Sequence, residues 1–175
     1  MLESLGTSVR EVRQVAHLSG LEGLVIPGGE STTIAKLMVH YGLLEPIREF
    51  ARGGRAIYGS CAGLIALARD TVEGGQPTLG LMDIVARRNA FGRQVHSFEA
   101  DLDVAGIEGG PLRGVFIRAP WIEEAGPGVR VLARYQDHTV AAEQDHLLAT
   151  AFHPELMGDT RVHAYFLGKV RQSID

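Results

Sequence analysis

The chain has 175 residues, a net charge of -4 at neutral pH, 45% hydrophobic and 22% charged residues. That balance suits one globular domain with a full core. It excludes the basic footprint of a nucleic-acid-binding surface, and no apolar run approaches the roughly 18 residues that span a bilayer.

In chain order, a strand is expected near Ser8–Val12, followed by a short polar turn of helix. Gly23–Ile26 reads as a buried strand. Thr32–Tyr41 and Glu45–Ala51 read as helices separated by Gly42, with Ser31 or Thr32 as the cap of the first. Arg55–Tyr58 is a short strand and Ala62–Arg69 an apolar helix. From Gly80 the texture changes. Met82–Arg88, Ser97–Val104 and Arg113–Arg118 look like strands with few helices between them. Val129–Gln136, Thr139–Glu143 and Leu147–Phe152 look like a meander turning at Asp137-His138 and Gln144-Asp145-His146. Arg161–Gln172 closes the chain as an amphipathic helix. Alternating elements followed by consecutive strands imply an α/β domain with a mixed sheet. No linker or repeat divides it, so residues 1–175 are expected to form one domain.

The chain holds a single cysteine, Cys61. It cannot form an internal disulfide, which fits a reducing cytoplasm. The start, MLESLGTSVREV, lacks the basic and apolar segments of a signal peptide. A lone cysteine is most often a small buried hydrophobe. Here it stands in Gly59-Ser60-Cys61-Ala62-Gly63, between the end of a strand and the start of a helix. This is the G-x-nucleophile-x-G pattern of a nucleophile elbow. Glycines at both flanks are needed where strand and helix pass too close for a Cβ. The turn places the sulfur at a helix N-terminus and leaves the N–H of Ala62 to meet a developing oxyanion.

A cysteine acting in acyl transfer needs a base, and the base needs an orienting group. Seven histidines are available. His17, His40, His96 and His163 have no acid in a telling position and read as solvated or structural. His138 and His146 each follow an aspartate at a turn, and the chain shows no compact metal-ligand spacing, so no metal is expected. His153 ends an apolar strand in "AFHPEL". Pro154 biases it toward an extended conformation, in which residues two apart share a side. Glu155 therefore falls within reach of the His153 imidazole. The order nucleophile, histidine, glutamate disfavours an α/β-hydrolase, where the acid precedes the histidine.

The segment "GLVIPGGESTTIAKL" runs a strand into Pro27-Gly28-Gly29-Glu30-Ser31 and then a helix. Its backbone N–H groups and helix start suit a carboxylate or an oxyanion. It matches neither G-x-x-x-x-G-K-[ST] nor G-x-G-x-x-G, so it is not a nucleotide loop.

"PGGEST", "GSCAGL" and "FHPEL", in this order and spacing, resemble the triad-type (class I) glutamine amidotransferases. "GLMDIVARRNAFGRQVHSFEADL" and "GVFIRAP" narrow the resemblance to the PdxT family, the glutaminase subunits of pyridoxal 5'-phosphate synthase. The resemblance covers nearly the whole chain. It implies a flavodoxin-like fold, with a mixed, mostly parallel sheet flanked by helices. It implies hydrolysis of L-glutamine to glutamate and ammonia without a cofactor. The ammonia would pass to a ring-building synthase subunit in a large hetero-oligomer, in vitamin B6 biosynthesis. Carried over by position, Cys61 is the nucleophile, His153 the base and acid, and Glu155 the orienting carboxylate. Gly29, Glu30 and Ser31 match the glutamine-binding loop; Arg88, Ile117 and Arg118 match further substrate contacts. Gly28, Gly29 and Ala62 are the expected oxyanion hole. Arg88 and Arg118 by themselves read as ordinary strand-end charges.

Family members begin with a strand, a loop and a full helix, and "MLESLG" looks like the tail of that helix. By this comparison about twenty residues of a strand-plus-helix unit are absent, and an opened, poorly stable sheet edge is expected. Two rivals stand beside the enzyme reading. A cysteine-elbow peptidase or deglycase of related fold would release no ammonia from glutamine, and a non-catalytic docking subunit would bind the synthase without hydrolysing it.

Overall fold

The apolar runs pair into an eight-stranded mixed sheet in a computed structural model that describes residues 1–92 and 97–173. Its elements are β1 (Gly23–Ile26), α1 (Ser31–His40), α2 (Leu44–Arg52), β2 (Ala56–Ser60), α3 (Ala62–Leu67), β3 (Ala68–Thr71) and β4 (Met82–Arg87). A hairpin of β5 (Ser97–Leu102) and β6 (Leu112–Ile117) stands apart as a two-stranded sheet. There follow β7 (Trp121–Ala125), β8 (Arg130–Tyr135), β9 (His138–Gln144), β10 (Leu147–Thr150) and α4 (Arg161–Gln172). The strand order is β1-β2-β10-β9-β7-β4-β3, with β8 on β9. The pairs β1–β2 and β2–β10 are parallel and flank the strand that leads to Cys61; β3–β4 is also parallel. The pairs made by β7, β8 and β9 are antiparallel.

Alternation along β2 shows why the sheet is covered on both faces. Tyr58 meets His163 and Phe166 of α4. Gly59, on the opposite face, lies against the backbone of Gly63 in α3. Every residue of β2 is buried, as a parallel central strand requires. The His153 segment enters the same core, because Phe116 of β6 packs on Phe152, and both are fully buried.

Three expectations are corrected. Ser8–Val12 forms no strand; Ser8, Val9, Arg10 and Glu11 are exposed and pair with no ladder. β1 is instead the end strand, and its outer side faces a groove of about 1300 Å³ shared with α1 and α4. The helix after Cys61 stops at Leu67 rather than Arg69. The N–H groups of Leu79, Gly80 and Leu81 bond the carbonyls of Ala66, Ala68 and Leu67 and turn the chain into β3. Strand β7 was hidden in the sequence because Glu123, Glu124 and Ala125 are all exposed, so no alternation shows. His96 lies outside the described residues.

Helix α4 is fastened to the sheet by a buried ionic cluster. Glu143 of β9 receives Arg130 Nε at 2.7 Å, Lys169 Nζ at 2.7 Å and the Tyr165 hydroxyl at 2.9 Å. Glu143 and Lys169 are nearly out of solvent, at 10% and 12% side-chain exposure. Removing one partner leaves a buried, uncompensated charge, which costs about 3–5 kcal/mol. Glu143→Ala is therefore expected to lower unfolding free energy by about that amount in urea titration; an unchanged midpoint would show that the cluster contributes nothing net.

Candidate active site

The elbow forms because two backbones nearly touch. A Cβ on Gly59 would collide with the Gly63 carbonyl, and one on Gly63 with the Ile26 carbonyl. Both glycines are required, as the spacing suggested, and the second contact ties the elbow to β1. Cys61 sits between them at φ 50° and ψ -102°, outside the usual basins for a residue with a side chain. Such strain persists only where the surroundings impose it. Here the Cys61 N–H bonds the Thr150 carbonyl at 2.7 Å, at the end of β10.

The same strand end leads to His153. Its N–H bonds the Val115 carbonyl of β6 at 2.8 Å. Its φ of -107° and ψ of 90° are extended, as the following proline dictates. Glu155 Oε1 accepts Nδ1 of the ring at 2.8 Å, which leaves Nε2 for sulfur. Bonding to Cys61 and then to Glu155 pushes the imidazole up to about 9, against the opposing effect of burial. Glu155 is itself half-buried. Desolvation, the largest single effect, raises its carboxyl, but the His153 bond, its own backbone N–H and the nearby imidazoles together hold it below the ordinary value.

Behind this pair lies a closed polar layer. Thr150 Oγ1 donates to the Phe152 carbonyl at 3.0 Å, so the Tyr58 hydroxyl must be the donor in its 2.9 Å bond to Thr150. His163 of α4 is 6% exposed and meets the Tyr58 ring edge-on. Burial lowers its basicity, and the ring fits the structural role read from its sequence context.

Gly28 packs directly on His153: a Cβ there would strike Cε1 of the ring. Gly29 adopts φ 150°, a conformation side-chain-bearing residues rarely take. Glu30, rather than Ser31 or Thr32, caps α1. Its carboxylate accepts the N–H groups of Thr32 at 3.3 Å and Thr33 at 2.9 Å, and the Thr33 hydroxyl at 3.1 Å. With the Thr32 hydroxyl as the largest cause, its carboxyl is held down to about 2. The helix begins one residue earlier than expected, which brings its first N–H groups within reach of Glu30.

Ser31 is buried and turned the other way, toward Gln76. Gln76 also accepts Arg88 Nη1 at 3.2 Å. Past Arg88, the Ala90 N–H bonds the Ala119 carbonyl at 2.9 Å, lacing the Arg88 turn to the segment of Ile117 and Arg118. Asn89 and Arg118 both have positive φ, at 44° and 42°. Ile117 and Arg118 are exposed, two and three residues beyond the Val115 carbonyl that holds His153.

The expected site residues thus lie on one circuit of contacts. It runs from His153 to Gly28, along the loop to Ser31, through Gln76 to Arg88, across to Ala119, and back through Val115. Ala62 opens α3 beside Cys61, and its N–H has no carbonyl partner inside the helix. Glu30 faces its own helix. The sequence reading missed Gln76 and Glu73, which no motif marks, and the carbonyls of Val115 and Thr150, which only pairing reveals.

Comparison with known proteins shows the family of the whole chain. The profile of the SNO glutamine amidotransferase family matches residues 1–172. A pyridoxal 5'-phosphate synthase subunit PdxT from Frankia alni is 56% identical over 98% of this chain and 87% of its own. The PdxT subunit of Moorella thermoacetica is 55% identical over 95% of this chain and 88% of its own. A crystal structure of a glutamine amidotransferase, 49% identical, superposes with a TM-score of 0.92 over 97% of this chain and 89% of that one. The PurLQS structure from Thermotoga maritima, 18% identical at a TM-score of 0.58, shares the fold. This chain belongs to the SNO glutamine amidotransferase family.

Proposed function

We propose that the chain is the glutaminase subunit of a pyridoxal 5'-phosphate synthase, hydrolysing L-glutamine and handing the ammonia to a ring-building subunit. The family and the names of its relatives support the activity and the partner class. The observation that carries the reading is the His153 imidazole, bonded to Glu155 through Nδ1 at 2.8 Å and set at the paired strand ends that also lead into Cys61.

The chemistry follows from that arrangement. Cys61 Sγ attacks the side-chain carboxamide carbon of glutamine while its proton rests on His153 Nε2. The C–S bond forms as the C=O becomes an oxyanion, met by the Ala62 N–H and the Gly28–Gly29 peptide. The imidazolium then gives its proton to the leaving nitrogen, the C–N bond breaks, and ammonia departs from a thioester. Water, deprotonated by the now neutral His153, attacks the thioester and releases glutamate and the free thiol. Glu155 keeps the ring in one tautomer and stabilises its charged form. Ser31, the Gly29 backbone, Arg88, Ile117 and Arg118 hold the substrate. Glu30 joins them only by leaving its cap on Thr32 and Thr33.

Glutaminase assays with and without the ring-building subunit test the reading. Glutamate release that rises on adding the partner supports it. Binding without release would make the chain a docking subunit only. Cys61→Ala should abolish release with an unchanged melting temperature, and a diazoketone analogue of glutamine should add one covalent mass at Cys61. Labelling elsewhere would move the nucleophile.

Glu155→Gln should lower kcat by roughly 10²-fold, and His153→Ala by more, because general acid–base catalysis is worth about 10²–10⁴ and only the histidine moves the proton. Parent-like turnover in Glu155→Gln would reduce that residue to a structural role.

The raised His153 also makes stability depend on pH. Its folded value of about 9 exceeds the ordinary 6.5, so the charged ring stabilises the fold fully below about pH 6.5. That contribution is lost as the pH rises through about 9. Melting curves across this window should show the parent's excess stability over His153→Gln shrinking with rising pH. A constant difference would contradict the raised ring.

A further inference from the structure

We propose that Gln76 is a positioning residue for the amide substrate, setting the hydrogen-bond polarity of Ser31 and the placement of Arg88. The proposal rests on the reading of Ser31 and Arg88 as substrate contacts. Gln76 stands in the loop between β3 and β4 and touches two segments far apart in sequence. Its Oε1 accepts the Ser31 hydroxyl at 3.1 Å and Arg88 Nη1 at 3.2 Å. Its Nε2 donates to the Ser31 carbonyl at 3.4 Å. One carboxamide thus spans the start of α1 and the end of β4.

The consequence for Ser31 is chemical. A hydroxyl has one proton to donate and lone pairs to accept with. Ser31 directs its proton at Gln76, so toward a ligand it presents an acceptor. It is thereby matched to an N–H donor, such as the ammonium or carboxamide nitrogen of an amino-acid amide. The consequence for Arg88 is geometric. Gln76 takes one end of its guanidinium, and Glu73 of the same loop stands 3.4 Å from Nε and accepts the Arg88 N–H at 3.1 Å. The arginine is pinned at both ends by one loop, leaving its direction set before a carboxylate arrives.

The loop can do this because it is itself anchored to the helix that begins beside the nucleophile. Leu79, Gly80 and Leu81 donate N–H bonds to carbonyls at the end of α3 and the start of β3. Arg48 of α2 holds the carbonyls of Leu79 at 2.8 Å and Thr78 at 2.9 Å. Gln76 therefore refers the substrate contacts to the same rigid element that carries Cys61. A misplacement of about 1 Å costs a catalytic site much of its efficiency, so such a tie matters for binding.

The test uses steady-state glutaminase kinetics of the complex with the ring-building subunit. Gln76→Met keeps the length of the side chain and removes both its acceptor and its donor. Its KM for glutamine is expected to rise about tenfold, the effect of losing about 1.4 kcal/mol, with kcat within about twofold and the melting temperature unchanged. Gln76→Met in a Ser31→Ala background should add much less than it does alone, because the two residues act through one hydrogen bond. An active parent whose KM is unmoved by Gln76→Met, or effects that add fully, overturns the proposal alone. A lowered melting temperature with KM and kcat changing together would make Gln76 structural and overturns it too. No glutamate from the parent complex overturns the functional reading, and this proposal with it.

Discussion

Everything in the site depends on how closely α3 passes the carbonyl of Ile26. Gly63 has no Cβ, so the first turn of the helix lies against the end of β1, and Gly59 lets the same turn lie against β2. Cys61 is forced to φ 50° by this approach. A larger residue at either glycine would push the helix outward, relax the elbow and carry the sulfur away from His153. The strain at Cys61 is imposed by packing, and the parallel pairing of β1, β2 and β10 supplies the rigidity that sustains it.

The second partner is brought in by strand pairing. β10 runs parallel to β2, so Thr150 and Ser60 lie side by side, and chains leaving the two strand ends meet. One leads into Cys61, the other into His153. This is the carboxyl end of parallel strands, where open α/β sheets gather their chemistry. The β5–β6 hairpin, though outside the main sheet, adds the Val115 carbonyl that fixes the His153 backbone. The distant segments of Ser31, Arg88 and Arg118 are joined by side-chain and loop bonds that run through Gln76 and Ala119.

Charge around the site is arranged in layers. The imidazole is flanked by Glu155, with a hydroxyl layer of Tyr58 and Thr150 behind and the buried His163 ring beyond. Helix α4, which closes that layer, is held by Glu143, Lys169 and Arg130 at a separate location. A buried ion pair is weak evidence of net stability; here it holds the helix whose His163 packs on Tyr58.

The sequence by itself determined the elbow, its paired glycines, the His153–Glu155 spacing and the run of buried strands. These are local: a Cβ clash, a proline-imposed extension and an apolar run act over a few residues. It also carried the family in its motifs. Only the tertiary structure decided that Glu30 caps its own helix, that Ser8–Val12 forms no strand and that Trp121–Ala125 does. A strand exists when a partner edge meets it, and a carboxylate turns toward whichever N–H groups the fold brings nearest. Gln76 shows the difference most clearly. Nothing around it in the chain marks it, because its meaning lies in Ser31, 45 residues away, and Arg88, 12 residues away. Folding makes them neighbours through contacts that no local pattern encodes.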